Sequence, residues 1–242
     1  MRRRACATAT RSTGCAIGCE RPRSGWAPLP RPARLSVPPI GRTHVPATAE
    51  VRRVIQLLAR LFLSLTGWKS EGARPRARRF VLIAAPHTSN WDLAFLLAFS
   101  WFYGIKPSFM AKHSLFRWPM GPVMRLLGGI PIQRHRRGNV VDQMADTLRE
   151  SEDLALTVPA EGTRSYADHW KSGFYHIARK AEVPIVLSFL DYERKVGGFG
   201  PEIVPSGDLR ADMKIIRDFY ADKKGRYPEQ FSPVRLPEED ED

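Results

Sequence analysis

Short apolar strands alternating with segments of helical length predict an α/β protein: a central sheet covered by helices, with an N-terminal amphipathic helix. Three observations carry this. Apolar, partly β-branched runs such as Phe80 to Ala85 and Leu154 to Val158 are bounded by proline, glycine or charge. Each is followed by a stretch long enough for a helix. Polar and charged residues gather directly behind the runs, where loops of such sheets place their chemistry.

In chain order, residues 51–68, VRRVIQLLARLFLSLTGW, put apolar side chains at helical spacing and carry Arg52, Arg53 and Arg60 with a terminal Trp68. The segment is too short and too charged for a membrane span, which needs about 18 apolar residues. Its composition suits an interfacial helix whose arginines meet lipid phosphates, and equally a first helix packed on the domain. A basic linker runs from Glu71 to Arg79. Beyond it the pattern reads strand 80–85, helix 90–103, strand 107–111, helix 119–127, strand 130–133, helix 139–150, strand 153–158, helix 172–182, strand 184–190 and helix 209–223. Gly197-Gly198 and Pro205-Ser206-Gly207 mark loops around a short strand.

The net charge of +13 is uneven. Residues 1–50 hold nine Arg, seven Pro and all three cysteines (Cys6, Cys15 and Cys19) against two Glu. Residues 1–48 are therefore expected to be a disordered Arg/Pro-rich extension, translated ahead of the functional start. Residues 49–70 form the amphipathic helix, a candidate membrane-interface anchor; residues 71–236 form the catalytic domain; residues 237–242 form a solvated acidic tail. A body without cysteine excludes a thiol nucleophile, a Cys-based metal site and a disulfide framework. His113, His135, His169 and His176 show no metal-ligand spacing, so no metal is expected. The body is moderately basic, which favours anionic partners, yet its charges are interspersed and no nucleic-acid motif appears.

Three stretches could carry chemistry. In His87-Thr88-Ser89-Asn90-Trp91-Asp92 the carboxylate, one turn into a helix, can reach back to the imidazole; bonding Nδ1–H leaves Nε2 free to accept a proton. The same residues fit a capping box with Ser89 as N-cap. Gly129-Ile130-Pro131-Ile132-Gln133-Arg134 ends an apolar strand in a cation suited to phosphate. In Glu161-Gly162-Thr163-Arg164, Gly162 permits a tight turn with exposed amides, and Glu161 could hold the Arg164 guanidinium. In a parallel sheet all three would emerge at one edge.

The order His-x4-Asp, Gly-x4-Arg, Glu-Gly-Thr-Arg and then Val183-Pro184-Ile185 resembles the glycerolipid acyltransferase family that includes 1-acylglycerol-3-phosphate acyltransferase. The similarity spans roughly Phe80 to Leu190 and is strongest to compact bacterial members, in which the first motif reads HTSNWD and a Lys-Ser-Gly-Phe segment, here Lys171 to Phe174, follows the third. The resemblance implies that His87 deprotonates an acceptor hydroxyl for direct attack on the thioester of acyl-CoA or acyl carrier protein, with Asp92 orienting it. No cofactor beyond that co-substrate is implied. Arg134, Glu161, Gly162, Thr163 and Arg164 map to positions that bind the acceptor's phosphate. The implied partners are a lysophospholipid, an acyl thioester (with acyl carrier protein as one donor) and an anionic membrane surface. The implied location is the cytoplasmic face of the cell membrane, held peripherally. Two departures from the pattern stand out: Pro86 precedes His87 where many members have Asn, and Pro159-Ala160 precede Glu161 where Pro usually adjoins Glu. Acceptors other than lysophosphatidate, such as a lyso-aminolipid, therefore stay open, and so does a non-catalytic, basic lipid-surface protein.

Overall fold

The computed structural model describes residues 49–132 and 137–240. Its elements are α1 (Ala49–Leu65), β1 (Lys69–Glu71), β2 (Arg79–Ala84), α2 (Trp91–Phe102), β3 (Pro107–Lys112), α3 (Met120–Leu126), β4 (Gly129–Ile132), α4 (Arg137–Glu150), β5 (Leu154–Val158), α5 (Gly173–Ala181), β6 (Ile185–Asp191), β7 (Val196–Ile203) and α6 (Leu209–Tyr220). The sheet order is β1-β7-β6-β2-β5-β3-β4. β2 runs parallel to both its neighbours, β5 and β6, with Ile83 level with Val158 and Ala84 level with Ser188. The loops that leave β2 and β5 therefore start side by side.

Parallel strands covered on both faces read as continuous apolar runs, and β5 and β6 are buried along their whole lengths. Alternation still sorts the side chains of β2. Val81 and Ile83 join Leu156, Ile185 and Leu187 against Met144, Leu148, Phe174, Ile177, Met213 and Ile216 of α4, α5 and α6. Phe80 and Leu82 turn to the other face, towards Ile105, Val186 and Phe199. There α2 joins α1 in a small aromatic core: the Phe95 ring lies 5.5 Å from Phe62, 4.5 Å from Trp68 and 5.9 Å from Tyr192. α1 buries Ala59 and Leu63 and leaves Leu57, Leu58, Leu61 and Leu65 exposed. Among the described residues no helix is long and apolar enough to cross a membrane.

Three expectations need correction. The segment 49–70 is helical only to Leu65, after which Lys69–Glu71 pair as a strand beside β7. The glycine-rich stretch at 197–200 lies inside an eight-residue strand, antiparallel to β6. Its glycines answer to packing: a Cβ on Gly197 would fall 2.5 Å from the Phe99 ring, and one on Gly200 2.4 Å from the Phe219 ring. A hairpin connection forces the antiparallel pairing; Asp191 Oδ1 accepts from the amides of Glu193 and Arg194 within the turn. The acidic end is not a free tail, because Glu239 takes the Leu236 amide and the Arg217 guanidinium, and Glu238 lies 3.6 Å from His176.

β4 lies three strand positions from β2, about 14 Å at the usual spacing. The expected phosphate ligand Arg134 and its neighbour His135 lie outside the described residues.

Phe95 tests how the first two helices are held. Phe95→Ala should lower unfolding free energy by about 3–5 kcal/mol, since its ring joins α1, β6 and the Trp68 turn. Urea denaturation followed by circular dichroism measures this.

Candidate active site

β2 delivers the chain to the carboxyl edge of the sheet, where residues 85–90 turn before α2 starts at Trp91. The Asp92 carboxylate turns back over this loop. Its Oδ2 accepts the backbone N–H groups of Thr88 and Ser89, each at 2.8 Å, and lies 3.3 Å from His87 Nδ1. The reach-back contact of the capping box is thus present, but the N-cap is Asn90, and the Ser89 hydroxyl accepts from Trp91 instead of from Asp92. Capping and orientation of the imidazole coexist in one carboxylate.

Asp92 is buried to 5 % side-chain exposure, whereas the His87 side chain keeps 23 %. That difference suits a fixed anion behind a base that opens to a ligand. A buried carboxylate needs hydrogen bonds to offset its lost hydration, and Asp92 has them on both oxygens. Its Oδ1 accepts the Tyr192 hydroxyl at 2.7 Å. Tyr192 stands directly after β6, on the far side of β2 from the Glu161 turn. Burial first, then the contact with Asp92, holds the Tyr192 hydroxyl far above its ordinary range, so it remains a donor.

From the β5 side comes Glu161, which is fully buried. Its Oε1 accepts the His87 backbone N–H at 2.6 Å and its Oε2 accepts Ser232 N–H at 3.2 Å. The expected pairing with Arg164 is absent: the guanidinium of that residue donates to the Asn90 side-chain oxygen. Glu161 consequently faces inward and fixes the backbone of His87, so the structure does not present it to a ligand. The physical reason is position: the carboxylate enters the core directly behind β5, while the chain swings outward at Gly162, whose φ of +69° carries Thr163 and Arg164 to the surface. The Thr163 hydroxyl accepts from Ser165 N–H at 3.2 Å and steadies the turn. The Asn90 contact places Arg164 beside the His87 loop.

A C-terminal strap closes the arrangement. Tyr227 N–H donates to Thr88 Oγ1 at 3.2 Å, and Tyr192 N–H donates to the Lys224 carbonyl at 2.9 Å. Gly225 passes so close that a Cβ there would lie 2.8 Å from Thr88 Oγ1. Nothing in the sequence pattern pointed to Tyr192, Gly225 or Ser232. The available signal was slight: a tyrosine just behind a largely apolar strand. Among the described residues no cluster of three or more metal-ligating side chains occurs.

The set can accept a proton at an oriented imidazole and meet an anion at an exposed guanidinium. The family model described as Acyltransferase matches residues 69–187, which contain His87, Asp92 and the Glu161–Arg164 turn. No curated protein matches the chain. Among solved structures, the crystal structure of the 1-acyl-sn-glycerophosphate (LPA) acyltransferase PlsC from Thermotoga maritima is similar with a TM-score of 0.49 and 16% identity, over 73% of this chain and 81% of that one.

Burial raises the Glu161 carboxyl above its ordinary value of 4.5, and the two backbone donors only partly offset it. The folded state therefore keeps this proton to higher pH than the unfolded chain does. The contribution of Glu161 to stability is fullest below pH 4.5 and declines as pH rises from there through its folded-state value. Glu161→Gln should remove that decline, so that the stability difference between variant and wild type moves in favour of the variant with rising pH. Urea midpoints across this range measure it.

Proposed function

Since its acyltransferase domain at residues 69–187 makes this chain a member of the acyltransferase family, we propose that it transfers a fatty acyl group from acyl-CoA or acyl carrier protein to a lysophospholipid, converting 1-acylglycerol-3-phosphate to phosphatidate. The observation that carries the reading is the 3.3 Å approach of His87 Nδ1 to a buried Asp92 that two backbone amides hold in place. In that orientation Nε2 is the nitrogen left to act on a substrate.

In the proposed reaction Nε2 takes the proton of the acceptor hydroxyl as the oxygen attacks the thioester carbonyl carbon. Asp92 stabilises the resulting imidazolium. The tetrahedral adduct collapses by breaking its C–S bond, and the imidazolium returns the proton to the leaving sulfur. Transfer is direct, with no acyl-enzyme. Arg164, next to the His87 loop, and Arg134 bind the acceptor's phosphomonoester, because a guanidinium contacts such a group through a planar fork. Gly162 and Thr163 shape the turn that presents Arg164. Glu161 acts behind it by fixing the His87 backbone.

The acceptor is an amphiphile, and the exposed leucines of α1 with Arg52 and Arg53 beside them suit an anionic lipid surface. The protein in this reading works peripherally on the cytoplasmic face of the cell membrane, where acyl-CoA and acyl carrier protein are found.

His87→Ala should abolish acyl transfer, and Asp92→Asn should reduce it strongly, since an uncharged partner supports the imidazolium poorly. Near-normal turnover in His87→Ala, with the circular dichroism spectrum retained, would overturn the mechanism.

Arg164→Ala should lower kcat/KM for lysophosphatidate about ten- to hundredfold with little effect on the donor, the loss expected for one hydrogen bond to a charged group. Arg164→Lys should recover part of it. Preference of the wild-type enzyme for a phosphate-free lysolipid, together with unchanged kinetics in Arg164→Ala and Arg134→Ala, would replace the lysophosphatidate assignment with another acceptor.

A further inference from the structure

Asp92 faces two demands. Its carboxylate must be satisfied in a buried site, and one particular oxygen must face His87. The amides of Thr88 and Ser89 and the imidazole all meet Oδ2, which leaves Oδ1 as the handle that sets rotation about the carboxylate. The Tyr192 hydroxyl occupies that handle at 2.7 Å.

Tyr192 is well placed to hold it. Its ring stands edge-on to Trp68 at 4.9 Å and 89°, and to Phe95 at 5.9 Å and 87°, which fixes the direction of the hydroxyl. Its backbone is fixed from the other side by the Lys224 carbonyl. The strand that ends beside it, β6, pairs directly with β2, so the donor and the loop it serves are carried by adjacent strands.

From these contacts we infer that Tyr192 is a positioning residue for acyl transfer, locking the Asp92 carboxylate so that Oδ2 presents to His87 Nδ1. The inference rests on the acid–base reading given above. In this role Tyr192 acts through Asp92 and His87, so its effect falls on turnover rather than on binding.

Tyr192→Phe tests it, because the ring and its packing on Trp68 and Phe95 remain while the donor is lost. The expected result is a fall of about ten- to hundredfold in kcat, the range for a hydrogen bond to a charged group, with KM for acyl-CoA and lysophosphatidate each within about twofold of wild type. The His87 Nδ1–H signal in proton–nitrogen spectra of histidine-labelled protein should also move, and the circular dichroism melting curve should keep a single folded transition. A purely structural tyrosine would leave that signal in place. Unchanged kcat, or an unmoved His87 signal, overturns the role of Tyr192. Parallel assay of His87→Ala separates the two levels: an inactive His87→Ala beside a wild-type-like Tyr192→Phe sinks only the positioning role, whereas an active His87→Ala sinks the acid–base reading itself.

Discussion

The buried carboxylate of Asp92 is the constraint around which the site is built. A charge taken out of water must be met by donors, and the protein draws them from two places, the amides of Thr88 and Ser89 in its own loop and Tyr192 beyond the neighbouring strand, with His87 Nδ1 3.3 Å away. Each of those groups is thereby fixed in turn. The loop cannot rearrange without stranding the anion, and the imidazole cannot rotate freely without leaving it.

The sheet makes this possible through the place of β2 at its centre. β5 on one side sends Glu161 to the His87 amide, and β6 on the other sends Tyr192 to Asp92. Two carboxylates thus hold one loop from opposite directions by different means. Burial raises the Glu161 carboxyl, while three hydrogen-bond donors and the nearby imidazole meet the oxygens of Asp92. The C-terminal strap through Gly225 and Tyr227 depends on the same geometry, since it rests on the Thr88 side chain of the loop that both carboxylates define.

α1 packs one face on the domain and exposes the other. Ala59 and Leu63 pack inward beside the Phe95 cluster, and Arg60 lies over the Phe102 ring at 5.5 Å. Leu57, Leu58, Leu61 and Leu65 remain outside. Of the readings that helical periodicity left open, the packed helix describes the inner face of this element, and the outer face is exposed.

Most strands and helices were legible in the sequence because strand runs such as Leu154 to Val158 and helical stretches such as Leu209 to Tyr220 carry their own periodicity and boundaries. His87 and Asp92 were legible for a related reason: they lie five positions apart across the loop and first turn of α2, so their spacing alone brings them together. β7 was not, since its glycines make room for Phe99 and Phe219, residues distant in sequence. Nor was the direction taken by Glu161, which looked like the partner of Arg164 and instead enters the core. Tyr192 is 100 positions from Asp92, and only the pairing of β6 with β2 brings them into contact. The sequence by itself determined the elements and the His87–Asp92 pair, because those depend on local spacing; the tertiary structure alone decided what holds that pair, because its supports come from strands that are neighbours in the sheet but not along the chain.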